Sequence, residues 1–387
     1  MKVGKAIYNI LSQSTDVQSN FPFNTTDYAP TGTELVTNGD FSDGVEKIVD
    51  GDFPLPNNNW TLNSGWTIPV GGSADWATLG SNNPITQSLT FATDKSYKVT
   101  FTIANVVGTP VRILIRNQGD VNQDITASWE DFDDGTFTYY FVSSSNNTSI
   151  NIYGRNDVGD SFSLSNVSVK ELGEGWTVQT GWSIGEDKAI CDGSTNNAIY
   201  QAITLPIGNL KITFKVEDFT SGTLKLWINL PAFTTIVTAT AADTYEAYIT
   251  TTSGANNIYF YSVAFVGSIT NVSVQEMILT KIFPELAPPD IDAPYIVYSV
   301  VSNSPSDTKN ANGDIDTANI EVYGFQDTYN KAVDLGVSVR AALDRKTGTY
   351  NTIEIQSTNY VNEQMDVNEA RKLWAAIQDY SIRIKNI

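Results

Sequence analysis

Carboxylates are the side chains of this sequence best suited to chemistry. Two acidic pairs stand out, Asp50 with Asp52 and Glu186 with Asp187. A glycosidase holds two carboxyl groups about 5–9 Å apart across a cleft, whereas these pairs are close neighbours in turn-rich sequence. The run Glu130–Asp134 could bind calcium, but it lacks the alternating ligands and central glycine of a calcium loop, which favours a solvated acidic loop. We therefore predict no enzyme activity, no catalytic residue and no metal site.

The amino-acid composition excludes further classes of site. The chain has 387 residues, one cysteine (Cys191) and no histidine, so zinc sites and Ser-His or Cys-His catalysis are excluded in their common forms. The formal net charge of −20 should repel nucleic acid and anionic membranes at long range. We predict no cofactor, no specific nucleic-acid binding and no membrane association. An ordinary acidic cytosolic protein fits these properties equally well.

Tryptophans are the other residues with possible binding chemistry, because a flat aromatic ring can stack on a sugar ring. Seven of the eight tryptophans lie between residues 60 and 227. Trp66 and Trp182 have apolar neighbours and are expected to be core residues, which is also the alternative for the others. Trp76 and Trp129 lie in polar loops, where an apolar core residue is less needed. The candidate glycan-binding residues are Trp60, Trp76, Trp129 and Trp176.

An internal repeat organises the middle of the chain. Trp60–Ile68 aligns with Trp176–Ile184, and further blocks follow in the same order, such as Tyr97–Phe101 with Leu210–Phe214 and Asn166–Val169 with Asn271–Val274. From Glu34 onward, short strands alternate with clusters of Gly, Asn, Asp and Ser, which is typical of β-sandwiches. The sequence therefore predicts two tandem β-sandwich modules, residues 34–172 and 173–278, after a turn-rich linker at residues 19–33.

The two ends of the chain have a different pattern. Val3, Ile7, Ile10 and Leu11 share one face of a helix. After Pro294 come a strand, a second strand with strict alternation from 318 to 325, a helix capped by Asp327 or Thr328, and two more strands. We predict a discontinuous α+β core, residues 1–18 plus 279–387, in which an antiparallel sheet packs with helices and is split by the all-β insertion.

Tyr323 and Phe325 lie on the outward face of the alternating strand. A monomer rarely leaves two adjacent large aromatic side chains exposed. They are therefore our candidates for an oligomer interface.

The terminal segments carry a resemblance in their order and spacing, namely Met1–Leu11, Lys281–Pro284, Pro294–Tyr298, Asp334–Asp344 and Gln378–Ile384. They resemble the tail completion (tail terminator) proteins of long-tailed bacteriophages. The resemblance implies a structural virion protein, made in the host cytoplasm, that caps the tail tube at the head-proximal end and joins it to the head-tail connector. It also implies a homohexameric ring through which DNA passes, with the tail tube protein and the connector protein as partners.

The insertion carries a second resemblance. The opening Val36–Phe41, the paired tryptophans and the closing Asn-Val-Ser-Val strand resemble jelly-roll carbohydrate-binding modules. Asp50–Phe53 partly repeats the opening, and the second module lacks it. The resemblance implies outward modules that could bind host or environmental glycans. The alternative function is a glycan-binding phage adhesin, attached to the tail through its α+β domain.

Overall fold

The structure is a computed structural model. It describes residues 2–21, 23–56, 59–77, 83–108, 111–118, 123–126, 130–144, 147–154, 159–230, 232–251, 255–305, 315–350 and 352–385.

The elements follow in chain order. They are α1 Lys2–Gln13, α2 Thr15–Gln18, β1 Tyr28–Glu34, β2 Asp43–Glu46, β3 Thr61–Leu62, β4 Trp66–Thr67, β5 Ala74–Ala77, β6 Pro84–Ser88, β7 Ser96–Val107, β8 Val111–Gln118, β9 Gln123–Asp124, β10 Glu130–Phe132, β11 Gly135–Val142, β12 Ser149–Gly154, β13 Ser161–Leu172, β14 Trp176–Val178, β15 Trp182–Gly185, β16 Lys188–Asp192, β17 Ala198–Leu205, β18 Gly208–Leu230, β19 Ala232–Ala239, β20 Asp243–Thr251, β21 Ala255–Leu279, β22 Ile282–Pro284, β23 Tyr295–Pro305, β24 Ile315–Gln326, α3 Tyr329–Leu343, β25 Gly348–Tyr350, β26 Ile353–Asn368 and β27 Leu373–Lys385.

The described part of the chain is nearly all β, with 61% strand, 9% helix and three helices. The predicted fold class, an α+β core split by an all-β insertion, is therefore wrong. The prediction gave the two periodic helices at the chain ends too much weight. Strands form most of the terminal segments as well as the insertion, because β23, β24, β26 and β27 are each 11 to 16 residues long.

Residues 43–172 form a two-sheet sandwich. Its sheets have the orders β10-β8-β12-β6-β3 and β11-β7-β13-β5-β4, with β9 and β2 at their margins. Inward residues of both sheets, such as Phe101, Ile152 and Leu164, bury its core. A nine-stranded sheet encloses a second core, and we call this unit the second sandwich. Its long strands β18 and β21, of 23 and 25 residues, pair with several register shifts. Such bulges bend a sheet, which lets one pair of strands pass along the whole core.

The opening segment Asn38–Phe41 packs in the second sandwich. The ring centroids of Phe41 and Trp176 are 4.9 Å apart, and the Trp176 indole N–H donates to the Asn38 carbonyl at 3.0 Å. The later segment takes this place in the first sandwich, where Phe53 lies 5.1 Å from Trp60 and Trp60 donates to the Asp50 carbonyl at 3.0 Å. The interpretation that the second module lacks an opening is therefore corrected.

Two pairs of polar side chains fix these openings in the same way. The Glu34 carboxylate accepts the N–H of Val274 at 2.7 Å, as Glu46 accepts that of Val169 at 2.8 Å. The Gln201 amide bonds both backbone groups of Thr37 at 2.8 and 2.7 Å, and the Gln87 amide does the same to Val49 at 2.9 and 2.7 Å. The first sandwich is thus inserted between the opening and the remainder of the second. The domain boundaries as a whole stay a prediction.

The remaining unit is built on one six-stranded sheet of order β22-β23-β24-β27-β26-β25, which we call the third sheet because it encloses the third core. Helices α1 and α3 pack against one of its faces, where Ile7, Leu11 and Leu335 meet strand residues such as Val322 and Tyr380. The Thr328 side chain accepts the N–H of Lys331 at 3.4 Å and caps α3, as predicted for Asp327 or Thr328. The predicted apolar face of α1 is buried.

The chain enters and leaves the two sandwiches at one point. Strand β1 pairs antiparallel with the end of β21, so that Tyr28 is opposite Leu279. The Thr280 N–H donates to the Asp27 carbonyl at 2.8 Å, and the Lys281 ammonium lies 3.1 Å from the Asp27 carboxylate. Phe21 and Tyr28, both 3% exposed, pack in the core of the third sheet. Part of the predicted linker at residues 19–33 therefore belongs to this core.

We expect the third-sheet unit to fold without the sandwiches when Tyr28 is joined to Leu279, its partner in the β1–β21 pair, by a short Gly/Ser linker. A shorter version that joins Val17 to Leu279 should unfold at a lower temperature, because it removes the buried side chains of Phe21 and Tyr28. Circular dichroism melts of the two proteins make this comparison. Non-cooperative melting of both proteins would contradict the prediction.

Candidate interaction surfaces

The helix-free face of the third sheet carries a stack of three aromatic rings, Tyr295, Phe325 and Tyr323. Tyr295 and Phe325 have centroids 4.7 Å apart, and Phe325 and Tyr323 have centroids 6.3 Å apart, with interplanar angles of 20° and 9°. Tyr295 is buried, whereas Tyr323 and Phe325 are half-buried. Their neighbours in β24, Ala318, Ile320 and Val322, point to the helices and are buried, so the predicted alternation is confirmed.

Arg371 holds one end of this stack. Its Nη2 donates to the carbonyls of Pro289 and Ile291, both at 2.8 Å, and its Nη1 donates to the Tyr295 hydroxyl at 3.2 Å. The guanidinium also lies 5.7 Å from the centre of the Tyr295 ring. The groove beside the stack has a volume of about 320 Å³ and is bordered by Leu286, which is 81% exposed. The arrangement presents rings and one cation, which suits contact with a protein surface.

The hydroxyl groups of the stack stay protonated at neutral pH. Tyr323 donates to the Glu321 carboxylate at 2.7 Å, and this hydrogen bond, followed by burial, raises the pKa of Tyr323 to about 12. Burial raises the pKa of Tyr295, and the nearby Arg371 lowers it in part. The face therefore offers aromatic surface without phenolate charge.

The candidate glycan-binding tryptophans lie elsewhere and are mostly inaccessible. Trp60, Trp76 and Trp176 are 6%, 1% and 0% exposed. Trp76 is opposite Trp66 in the β4–β5 pair, and their ring centroids are 5.3 Å apart in the core. Rings at these positions fill the sandwiches and cannot stack on a sugar, which corrects their interpretation as a glycan platform. The candidate Trp129 lies outside the described residues.

A different set of aromatic side chains reaches the surface of the second sandwich. Trp227 of β18 is opposite Tyr259 of β21, which is opposite Tyr200 of β17. The rings of Trp227 and Tyr261 stack at 4.1 Å with an interplanar angle of 11°, and those of Tyr200 and Tyr259 stack at 5.1 Å with 28°. All four side chains are half-buried. We call Tyr200, Trp227, Tyr259 and Tyr261 the aromatic row.

Sequence reasoning missed the aromatic row, although the alternation of Tyr259 and Tyr261 with buried Ile258 and Phe260 was a signal for it. The corresponding strands of the first sandwich have Thr86 opposite Asn151, joined by a 2.8 Å hydrogen bond, in place of the tyrosine pair. The two modules therefore differ in surface chemistry at the same place in the fold.

The acidic pair Glu186 and Asp187 has a structural role. Glu186 and Asp187 are the two central residues of the hairpin that joins Gly185 to Lys188, with φ of 53° and 56°. A two-residue hairpin favours such left-handed positions.

Among the residues described by the structure, no group of three His, Cys, Asp or Glu side chains is placed to hold a metal ion. None of the three helices in the described ranges is long and apolar enough to span a membrane.

The segment that contains the third sheet can be compared with known families. Residues 269–385 match the family model described as Tail completion protein gp17. The matched range is less than a third of the chain. It confirms the predicted resemblance for the C-terminal segment, whereas residues 1–18 lie outside the match. The match supports a structural protein of a phage tail. A search of curated proteins finds no match.

Solved structures give weaker likenesses. The tandem CBM22 domain of Xyn10C from Paenibacillus barcinonensis is 10% identical, with 64% of this chain and 100% of that chain covered and a TM-score of 0.27. A chain of the native gene transfer agent virion is 12% identical over 28% and 80%, with a TM-score of 0.24. Allantoicase from Saccharomyces cerevisiae is 8% identical over 70% and 96%, with a TM-score of 0.23. At these TM-scores the likenesses establish neither fold nor function for this chain.

Proposed function

We propose that this protein is a tail terminator. In this function it is a structural virion protein without enzyme activity, made in the host cytoplasm, that caps the tail tube at the head-proximal end. Its partners are the tail tube protein and the head-tail connector protein. The family match over residues 269–385, which spans the end of β21, all strands from β22 to β27 and α3, is the observation that carries this proposal.

A terminator must match the symmetry of the tube that it caps, and the family resemblance implies six-fold symmetry. The working assembly is therefore a closed ring of six copies with head-to-tail contacts. The half-buried rings of Tyr323 and Phe325 provide aromatic surface for such a contact. DNA has to pass through the ring without being held. The net charge of −20 supports this, because tight DNA binding requires Lys and Arg side chains that neutralise phosphates.

The proposal is tested by the position of the chain in the particle. We expect a reconstruction of intact particles to show one ring of this protein between the tube and the connector. An engineered tag at an exposed loop, detected by labelled antibody, gives an independent position. Finding the chain at the distal tip or in fibres would overturn the terminator function and support an adhesin.

A second candidate function is glycan binding by the second sandwich, as in an adhesin carried on the tail. The aromatic row favours it, because it places four half-buried rings side by side on three adjacent strands. Sugar rings stack on surfaces of this kind, and the flanking hydroxyl groups can accept or donate hydrogen bonds.

We expect Trp227→Ala and Tyr261→Ala each to weaken retention on host surface polysaccharide at least tenfold, which corresponds to about 1.4 kcal/mol. The matched control is Tyr153→Ala, because Tyr153 occupies the corresponding position of the first sandwich, opposite Pro84 as Tyr261 is opposite Ala198. Affinity electrophoresis in gels with the polysaccharide measures the effect. Unretarded migration of the wild type in every host polysaccharide would remove this candidate function.

A further inference from the structure

The four long strands of the third sheet alternate in direction. β24 is antiparallel to β23 and β27, and β27 is antiparallel to β26. The outer two long strands, β23 and β26, therefore run in opposite directions. When copies are related by rotation alone, β26 of one copy meets β23 of the next copy as an antiparallel pair. Identical copies can thus extend the sheet without breaking its alternation.

The outer edge of β23 is covered over only part of its length. The short strand β22 pairs with it from Ile296 to Tyr298. The Glu285 carboxylate then accepts the N–H of Val300 at 3.4 Å. From Val301 to Pro305 the strand is exposed, and no described strand pairs with this edge.

The outer edge of β26 is covered in the same manner from its other end. β25 pairs with Ile353–Ile355, the Thr358 carbonyl accepts the N–H of Arg345 at 2.7 Å, and the Tyr360 N–H donates to Asp344 at 3.0 Å. Residues 361–368 then lie at an edge that no strand among the described residues covers. Unpaired N–H and C=O groups on such an edge are a template for pairing with another chain.

The covered parts of the two outer edges both end at the same row of paired residues across the sheet. Val300 is opposite Ile320, Ile320 is opposite Tyr380, and Tyr380 is opposite Tyr360. The open edges therefore lie on opposite sides of this row, at opposite ends of the sheet. A neighbouring copy can pair open edge with open edge only when it is shifted along the strand direction.

The size of this shift fits a closed barrel. Gln364, in the middle of the open β26 edge, shares a row with Val297, and Asn303, in the middle of the open β23 edge, is about six residues further along. Six residues span about 20 Å, and four strands are about 19 Å wide. These two lengths give strands tilted by about 45° from the ring axis, and strands of closed barrels tilt by about 35–45°.

We propose that the open edge of β26, residues 361–368, pairs with the open edge of β23, residues 301–305, in a second copy of this chain. This pairing joins the third sheets of the ring into one continuous barrel. It rests on the proposed function for the ring, and it names the contact that closes it. The contact also covers Val301, Val361 and Val367, which are 58%, 60% and 38% exposed in the single chain.

Engineered disulfides test the contact in the full-length chain. Asn303→Cys is combined in turn with a cysteine at each position from 362 to 366. Within one chain, two strands separate these positions, which puts them about 14 Å apart across the sheet, and they are also four to eight residues apart along the strand direction, so each pair is well over 14 Å apart. A disulfide requires Cα atoms within about 7 Å, and therefore any bridge joins two copies. Each single-cysteine variant is the control, because the native Cys191 is buried.

We expect oxidation of assembled particles to convert most of the chain into a ladder of covalent multimers at one or two of the five positions. Variants that melt at the wild-type temperature but no longer form rings also support the contact. Rings of this chain at the head-proximal end without a ladder at any position would overturn the edge pairing and leave the terminator function standing. A ladder from rings located elsewhere in the particle would support the edge pairing and overturn the terminator function.

Discussion

Trp76→Ala is expected to lower the free energy of unfolding of the first sandwich by about 3–5 kcal/mol. The side chain is 1% exposed, and its ring contacts Trp66 in the core. Two glycines show how closely the backbone lies against the ring: a Cβ added at Gly154 or Gly65 would be 2.4 or 2.5 Å from Trp76 atoms. Truncation to alanine therefore leaves a cavity that the surrounding strands can close only in part.

Chemical denaturation followed by fluorescence measures this change. Val107→Ala in the same sandwich is the control, because Val107 is 58% exposed and its truncation should cost less than about 0.5 kcal/mol. A loss below about 1 kcal/mol for Trp76→Ala would contradict the core assignment and return Trp76 to the candidate glycan-binding residues.

Asp27→Ala is expected to lower the free energy of unfolding by about 1.5–3 kcal/mol, since it removes a mostly buried ion pair and leaves the Lys281 ammonium with the Asp292 carbonyl at 3.3 Å as its acceptor. The side chains of Lys281 and Asp27 are 15% and 11% exposed, and their charged atoms are 3.1 Å apart. Asn24 also loses its acceptor, because its amide donates to the Asp27 carboxylate at 2.7 Å. The pair lies where the sandwiches join the third-sheet unit.

The control is Asp327→Ala, which removes the partner of Lys331. Those side chains are both 58% exposed and 2.9 Å apart, so solvent screens the pair and its loss should cost less than about 0.5 kcal/mol. Thermal melts at low and high salt separate the two cases, because only the exposed pair should be sensitive to screening. Equal small losses in both variants would show that the Asp27–Lys281 pair does not stabilise the junction.

Several elements could be predicted from local sequence. The apolar spacing from Val3 to Leu11 gives α1, and the alternation from 318 to 325 gives the buried and open faces of β24. The last of the predicted strands corresponds to β27, Leu373–Lys385. In each case the period of apolar residues is a local property of the chain, so no knowledge of distant partners was needed.

The internal repeat was also visible in the sequence, but its pairing was not. Two openings, Asn38–Phe41 and Asp50–Phe53, follow each other within sixteen residues. Only the contacts of Phe41 with Trp176 and of Phe53 with Trp60 decide which opening belongs to which sandwich. The order along the chain suggested the first sandwich for the earlier opening, whereas the fold inserts that sandwich into the second.

Local sequence was enough to predict helices α1 and α3, the alternating strands and the repeat, and the composition alone excludes histidine-based chemistry. Tertiary structure alone decided which tryptophans are buried, which tyrosines form the aromatic row and which strand edges stay open. Exposure of Trp76 or Tyr261 depends on the strand that lies opposite, and an open edge depends on where β22 and β25 end. These partners are distant in sequence, and their pairing is set by the packing of whole sheets rather than by local preference.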